Sequence, residues 1–408
     1  MRTSAKLGLV GCLYMSEGLP FGFFTQALPV LLRESGVSLS DIGLTSLLTL
    51  PWALKFLWAP LVDRYWVRRL GRRRSWIIPV QLATAAVLFA AVALDPDTQL
   101  AWLFALVALC NLLAATLDIA TDGLAVSLLR PPERGLGNGV QVAGYRVGMV
   151  IAGGFLLVVF ERLGWSGSFL LLGSLILLLT LPVLLFREPP ATPGPAGYGV
   201  AWRYLLRPGV ASWLLIILTY KFCEAIGAGM TRPFLVDRGL TLAQIGWLLG
   251  TVGFGASLAG ALVGGWLTSR LGYYRCVLSF GLGQAIAIAG FAAISILPAG
   301  SAWPLYGVVA AEGLVSGMVT AAVFTMMMDA CRPASEGSDY SLQACIFVIA
   351  MGLASVASGF LAEWLGYTRY FLLGAVTAVL ALVPIALAAR RGGLLALRLN
   401  RGVVTTAN

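Results

Sequence analysis

The sequence predicts an all-α membrane protein: twelve transmembrane helices in two homologous six-helix bundles. Three observations carry this expectation. Apolar stretches of about 20 residues, the length that crosses a bilayer core, recur along all 408 residues. Arginines crowd into one short loop between two such stretches, as they do on the cytoplasmic side of a membrane. Segments of the first half of the chain return in the second half at a nearly constant offset.

The loop fixes orientation. An apolar run carrying Lys55 ends at Pro60, Asp63 and Arg64, and Arg68, Arg69, Arg72, Arg73 and Arg74 follow before the next apolar run begins. With this loop inside, the expected spans are 7–32, 41–61, 75–94, 99–128, 138–160, 166–186, 209–231, 243–268, 276–297, 303–330, 340–362 and 369–389. Twenty Lys and Arg then fall in cytoplasmic loops and tails and five outside, with Lys55, Arg146 and Lys221 inside spans. Both termini are expected in the cytoplasm. The opening Met-Arg-Thr-Ser-Ala-Lys and its apolar run are similar to a signal peptide. Glu17 interrupts that run and no clean small-residue cleavage site follows, so an uncleaved first span is expected.

The duplication is read directly. ERLGWSGSFLLLG at 161–173 returns as EWLGYTRYFLLGA from 363, an offset of 202. Arg130-Pro131 with Gly135 and Gln141 returns as Arg332-Pro333 with Gly337 and Gln343, again at 202. GVSLSDIG at 36–43 returns as GLTLAQIG at 239–246, at 203. The expected organisation is an N-terminal bundle (1–186), a flexible Pro- and Gly-rich cytoplasmic linker (187–208), a C-terminal bundle (209–389) and a tail (390–408). An even number of spans per half makes the repeat parallel, related by an axis along the membrane normal.

Composition excludes several classes. The net charge of +10 sits in loops flanking spans, where orientation accounts for it better than nucleic acid does. The six cysteines lie in or beside apolar runs without a CxxC pair, so neither disulfides nor a metal site is expected. No cofactor is called for, and a monomer in the bilayer is expected. Histidine is absent, so proton chemistry must use carboxylates.

Charges inside spans mark the candidate site. In the first span Glu17 is followed by Gly18, Pro20 and Gly22, and a kink or break at mid-depth is expected. Tyr14, Glu17, Phe21 and Phe24 recur at helical spacing on one face. Glu224, followed by Gly227 and Gly229, holds the matching place in the second half, though its offset of 207 puts it about one turn out of register. Asp118 and Asp122 share a face of the fourth span and are expected near Lys55 and Arg146, beside Tyr145. They fit either a shared-proton coupling site or a static ion-pair network. Lys221 and Glu224 can pair along one helix. Glu312 stands in the tenth span without a basic neighbour in sequence. Gly260-x-x-x-Gly264 and Gly313-x-x-x-Gly317 are the spacings of close helix packing.

Two halves of six spans, with Asp63-Arg64 and an arginine cluster between spans two and three, resemble the major facilitator superfamily. Its loop motif is usually Gly-x-x-x-Asp-Arg; here Ala59 replaces the glycine and the basic cluster comes late, at Arg72 to Arg74. SEGLPFGFFTQALPVLLR, KFLWAPLVDRY and GRRRSW resemble the branch of muropeptide permeases and acetyl-coenzyme A transporters. Within it they look most like the short importers of pyochelin- and rhizobactin-type ferric siderophores. Muropeptide permeases of the branch carry two further spans that this sequence lacks. The resemblance implies a gating role for Asp63, Arg64, Arg72, Arg73 and Arg74. It also implies a secondary-active permease of the bacterial inner membrane, not an enzyme. Proton-coupled import of a ferric siderophore is the first expectation, and of a muropeptide or other amphipathic metabolite the second. A membrane-embedded transferase fits poorly, because histidine is absent and Asp118 and Asp122 lie within a span.

The topology is testable with reporter fusions. Fusions after Arg74, within 187–208 and after Arg401 should report cytoplasm, and fusions at Asp97 and near Asp237 the outside. A linker that reports outside would break the six-plus-six arrangement.

Overall fold

The computed structural model describes residues 2–28, 50–94, 98–190, 197–207, 209–298 and 302–390, and every regular element among them is helical. The helices are α1 (Thr3–Gly22), α2 (Leu50–Leu54), α3 (Ala59–Arg64), α4 (Arg74–Ala91), α5 (Leu100–Leu128), α6 (Pro131–Val150), α7 (Leu156–Leu185) and α8 (Tyr198–Leu205). They continue as α9 (Val210–Ala228), α10 (Thr231–Asp237), α11 (Leu242–Trp247), α12 (Phe254–Leu271), α13 (Tyr273–Ile296), α14 (Ala302–Asp329) and α15 (Glu336–Arg390). Ten helical runs among the described residues are long and apolar enough to cross a membrane. The last, Glu336–Leu387, covers 52 residues and holds the eleventh and twelfth expected spans. Of the second expected span, residues 41–49 lie outside the described residues. The exposed apolar stripe Leu178, Leu181 and Leu185 on α7 is what a hydrocarbon solvent requires of an outward face.

The duplication has a backbone counterpart. α7 turns at Gly164 (φ 63°) and α15 at Gly366 (φ 71°), 202 residues apart, where a side chain would be strained. Two further Leu-Gly pairs, 201 residues apart, end alike, at Gly71 (φ 99°) and Gly272 (φ 81°).

Contacts divide the chain into two units. Unit 1 comprises Met1–Leu129, Ala143–Trp202 and Cys331–Cys345, and unit 2 comprises Arg130–Val142, Arg203–Ala330 and Ile346–Asn408. Each unit takes in one short segment of the other half of the sequence. Those two segments are the repeated Arg-Pro…Gln stretches.

The first span departs from expectation. α1 runs unbroken through Glu17 and Pro20 to Gly22 and then widens into a π-turn, Phe23–Ala27. Its glycines serve packing instead of a break. Gly18 lies against the Tyr145 carbonyl and Gly22 against the Met149 backbone, while Gly144 and Gly148 of α6 meet the backbone of Gly11 and Met15. Close backbone approach supports the helix where proline removes a hydrogen bond. The linker departs too, because residues 198–205 form α8.

In unit 1, Leu19, Phe23, Leu88, Leu103, Phe169 and Ile176 anchor one apolar core, and Leu13, Val62, Ile77 and Leu124 another. In unit 2, Phe234, Ile288, Phe291 and Phe371 anchor the core. The two glycine motifs there pack α12 on α14. Gly260 faces the Leu314 carbonyl, Gly264 faces Met318, Gly313 faces the Gly253 carbonyl and Gly317 faces the Ser257 carbonyl.

Adding side chains at this crossing should therefore overpack it, a cost of about 1–3 kcal/mol per site. Gly260→Val and Gly317→Val should lower the thermal unfolding midpoint in detergent. Gly255→Ala, where a methyl meets open space, should leave it unchanged. Wild-type midpoints for both valine variants would remove the glycine crossing from the account.

Candidate functional site

Lys55 organises a buried polar cluster in unit 1. The described part of the second span is interrupted at this residue. α2 ends at Leu54, Lys55–Leu57 form a 3₁₀ turn, and α3 restarts at Ala59. Pro60 explains the interruption, since it has no N–H to reach the Phe56 carbonyl as a continuous helix would require. The turn aims the Lys55 side chain, 3% exposed, at α5. Its ammonium pairs with Asp118 and lies 3.6 Å from Asp122 Oδ2. The two aspartates reach one lysine because they are four apart on α5. The Tyr14 hydroxyl donates to Asp122 Oδ1 at 2.6 Å.

Glu17 adjoins this cluster on α1 and is fully buried. Neither of its carboxyl oxygens has a hydrogen-bond partner among the described residues. The charges of Asp122 and Lys55 act on it, and the Thr121 hydroxyl is a donor beside it. Three rings flank the cluster: Phe21 and Trp52 at 5.6 Å between centroids, Phe21 and Tyr145 at 5.7 Å, and Trp52 and Tyr145 at 6.5 Å. The Lys55 ammonium stands 5.8 Å from the Trp52 ring, and the Trp52 indole donates to Asn111 Oδ1 at 3.4 Å.

Tyr14, Glu17, Phe21, Lys55, Asp118, Asp122 and Tyr145 are thus gathered in one place. Phe24 is not. The π-turn rewinds the helix there, and Phe24 joins the apolar core beside Phe23. Arg146 is half-buried on α6, and the cation drawn against both aspartates is Lys55. Trp52 was not foreseen, although it sits three residues before Lys55 in the same apolar run.

In unit 2, Lys221 pairs with Glu224 along α9, and the Gln284 amide donates to Glu312 Oε1 at 3.0 Å. α9 stops at Ala228 and α10 begins at Thr231, so the matching span is interrupted after Glu224 as expected.

A second charged cluster in unit 1 surrounds Asp63, which is 1% exposed. Arg73 donates to Asp63 Oδ1 at 2.6 Å and to Glu336 Oε2 at 2.9 Å. Arg72 lies 3.5 Å from Asp63 and 3.4 Å from Glu336, and its Nε donates to the Asp63 carbonyl. The Ser338 N–H, in the first turn of α15, donates to Asp63 Oδ2 at 2.7 Å, so this carboxylate caps a helix N-terminus. Two arginines against two carboxylates make the cluster neutral. Burial works against the Arg73 charge, but Asp63 and Glu336 outweigh it and hold its pKa above the ordinary arginine value. Ala334, at φ 66°, receives an Arg72 hydrogen bond on its carbonyl and donates from its N–H to Glu336 at 3.0 Å. Backbone strain of this kind concentrates at functional positions.

Two of the expected gating arginines lie apart from Asp63. Arg64 is exposed, over the Tyr65 ring. Arg74 donates to the Val183 and Leu184 carbonyls at the end of α7. Glu188, Glu336 and Ser338 were not foreseen, because they lie far off in sequence. Glu188 accepts from the Arg73 and Arg74 backbone N–H groups.

Unit 2 holds a counterpart of different chemistry. The Leu136 N–H, 202 residues before that of Ser338, donates to Ser269 Oγ at 2.8 Å. Arg134, 202 residues before Glu336, pairs with Asp329. A hydroxyl and one ion pair thus stand where unit 1 has four charges.

The family model of the Major Facilitator Superfamily matches residues 10–297 and 221–396. The chain is 32% identical over 391 residues to the anhydromuropeptide permease of Escherichia coli (strain K12), covering 93% of this chain and 78% of that one. It is 30% identical over 373 residues to an uncharacterized protein of Haemophilus influenzae, covering 87% and 88%. Among solved structures, the human organic anion transporter MFSD10 superposes with a TM-score of 0.73 at 13% identity, covering 94% of this chain and 100% of that one. A bacterial homologue of the iron transporter ferroportin superposes at 0.68 with 16% identity, covering 96% and 100%. At such identities these two speak for the fold alone. The family match and the bacterial relatives speak for descent: this multi-pass membrane transporter belongs to the Major Facilitator Superfamily.

Proposed function

We propose that the chain is a proton-coupled importer of anhydromuropeptide-type solutes in a bacterial inner membrane. The observation that carries this reading is the Lys55 cluster with its flanking rings. Aromatic faces accept the apolar faces of sugars, and a buried ammonium accepts a carboxylate; a muropeptide joins sugar rings to a carboxylate-bearing peptide. The E. coli relative supports the same solute, so the muropeptide displaces the ferric siderophore as first reading. Two of the three motifs behind the siderophore expectation, KFLWAPLVDRY and GRRRSW, border Asp63 and concern gating more than solute.

Coupling follows from how the charges are held. Lys55 and Tyr14 hold Asp118 and Asp122. Glu17 is held by neither of these and is the proton carrier in this scheme. Solute carboxylate arriving at Lys55 competes with the aspartates, which links binding to the protonation of the cluster.

Uptake of labelled anhydromuropeptide into vesicles tests this. The wild type should accumulate it, and a protonophore should abolish accumulation. Glu17→Gln should lose accumulation yet keep exchange at equal pH, since a permanently neutral side chain still lets the loaded protein alternate. Normal accumulation by Glu17→Gln would remove that residue as carrier. Uptake of a ferric siderophore but not of anhydromuropeptide would overturn the solute.

The Asp63 cluster is the gate latch in this reading, a set of ion pairs that holds one conformation and must open for the other. Removing one member of a buried network costs about 3–5 kcal/mol, because a charge is left unanswered. Asp63→Asn should cut uptake more than tenfold while insertion and topology stay normal, and Arg64→Gln should transport near wild-type rates. Normal uptake by Asp63→Asn would exclude the latch.

A further inference from the structure

Lys221 and Glu224 of unit 2 take no part in the cluster around Lys55. Both are buried, at 8% and 6% exposure, and they pair along α9. An ion pair between neighbours on one helix adds little stability, and burying its two charges costs more than apolar residues would. Such a pair inside a membrane protein calls for a functional account.

Its surroundings suggest a ligand. The Lys221 ammonium stands 4.5 Å from the Phe347 ring, which lies 5.5 Å from Phe324, so helices α9, α14 and α15 converge here. The Tyr220 hydroxyl is buried with no hydrogen-bond partner among the described residues, within the field of Glu224. α9 ends one turn beyond Glu224, and interrupted helices are where transporters of this type bind solute.

We infer that the Lys221–Glu224 cluster is a binding site for the zwitterionic end of an amino-acid- or peptide-bearing solute. The solute carboxylate takes the Lys221 ammonium, and its ammonium group takes Glu224. The Tyr220 hydroxyl donates a hydrogen bond to the incoming carboxylate. Phe347 and Phe324 supply ring faces for the solute's apolar part or its cation. The internal pair is the resting state, and the ligand replaces it with two intermolecular pairs, so neither charge is left unanswered. This assignment rests on the permease reading above and deepens it, because it names what recognises the zwitterionic end of the peptide.

The experiment uses the full-length chain in proteoliposomes and two labelled probes, an anhydro-disaccharide bearing its peptide and the same disaccharide without it. The double variant Lys221→Gln/Glu224→Gln keeps the cluster neutral, and Tyr220→Phe is a milder change that leaves both charges. The double variant should raise the half-saturating concentration for the peptide-bearing probe about tenfold, the loss of a charge-assisted hydrogen bond, and leave the bare sugar unchanged. Tyr220→Phe should shift the same probe in the same direction by a smaller factor. Equal losses on both probes, or no loss on either, would overturn the site while leaving the permease intact. A wild-type protein that carries neither probe would remove the permease reading, and this site with it.

Discussion

The ion pairs of Arg73 with Asp63 and Glu336 are the constraint on which much of unit 1 depends. A guanidinium 1% exposed is tolerable only if its charge is answered within hydrogen-bond reach. Two carboxylates answer it, Arg72 restores neutrality, and the first turn of α15 is drawn onto Asp63 through Ser338. Gly123 lies against the guanidinium, where a side chain would collide with it. One buried cation thereby ties residues just outside the second, third and eleventh expected spans to Gly123 within the fourth.

The Lys55 cluster follows a different rule. Lys55 faces Asp118 and Asp122, and Glu17 stands beside them held by neither Lys55 nor Tyr14. The network around Asp63 is neutral and heavily hydrogen-bonded, which suits a structural lock. A cluster of three carboxyls around the Lys55 cation is suited, in the proposed reading, to taking up protons or an incoming charged group. In that reading the same physics, the cost of charge in a low-dielectric interior, separates a part that holds from a part that exchanges.

The duplication has diverged along that line. Positions 136 and 338 keep the same backbone donation at the start of a helix, but to Ser269 in one case and to Asp63 in the other. Glycines at 164 and 366 keep the same left-handed turn, because no other residue adopts it without strain. What was duplicated is backbone geometry, and what changed is charge.

Apolar period, arginine placement and repeat offset were enough to determine the helical membrane fold, because each is local in sequence and set by the bilayer as solvent. Gly260, Gly264, Gly313 and Gly317 announced their close packing for the same reason, since a four-residue spacing fixes a helix face. Asp118 and Asp122 could be placed on one face, and their meeting with Lys55 required the interruption before Pro60 that turns the lysine inward. Glu188, Glu336 and Ser338 could not be read as partners of the arginine loop, because nothing local joins residues more than a hundred positions apart. The glycines and proline of α1 looked like a break, yet the helix runs through them. Only tertiary structure decided that, because whether a glycine loosens a helix or admits a neighbour depends on what packs against it.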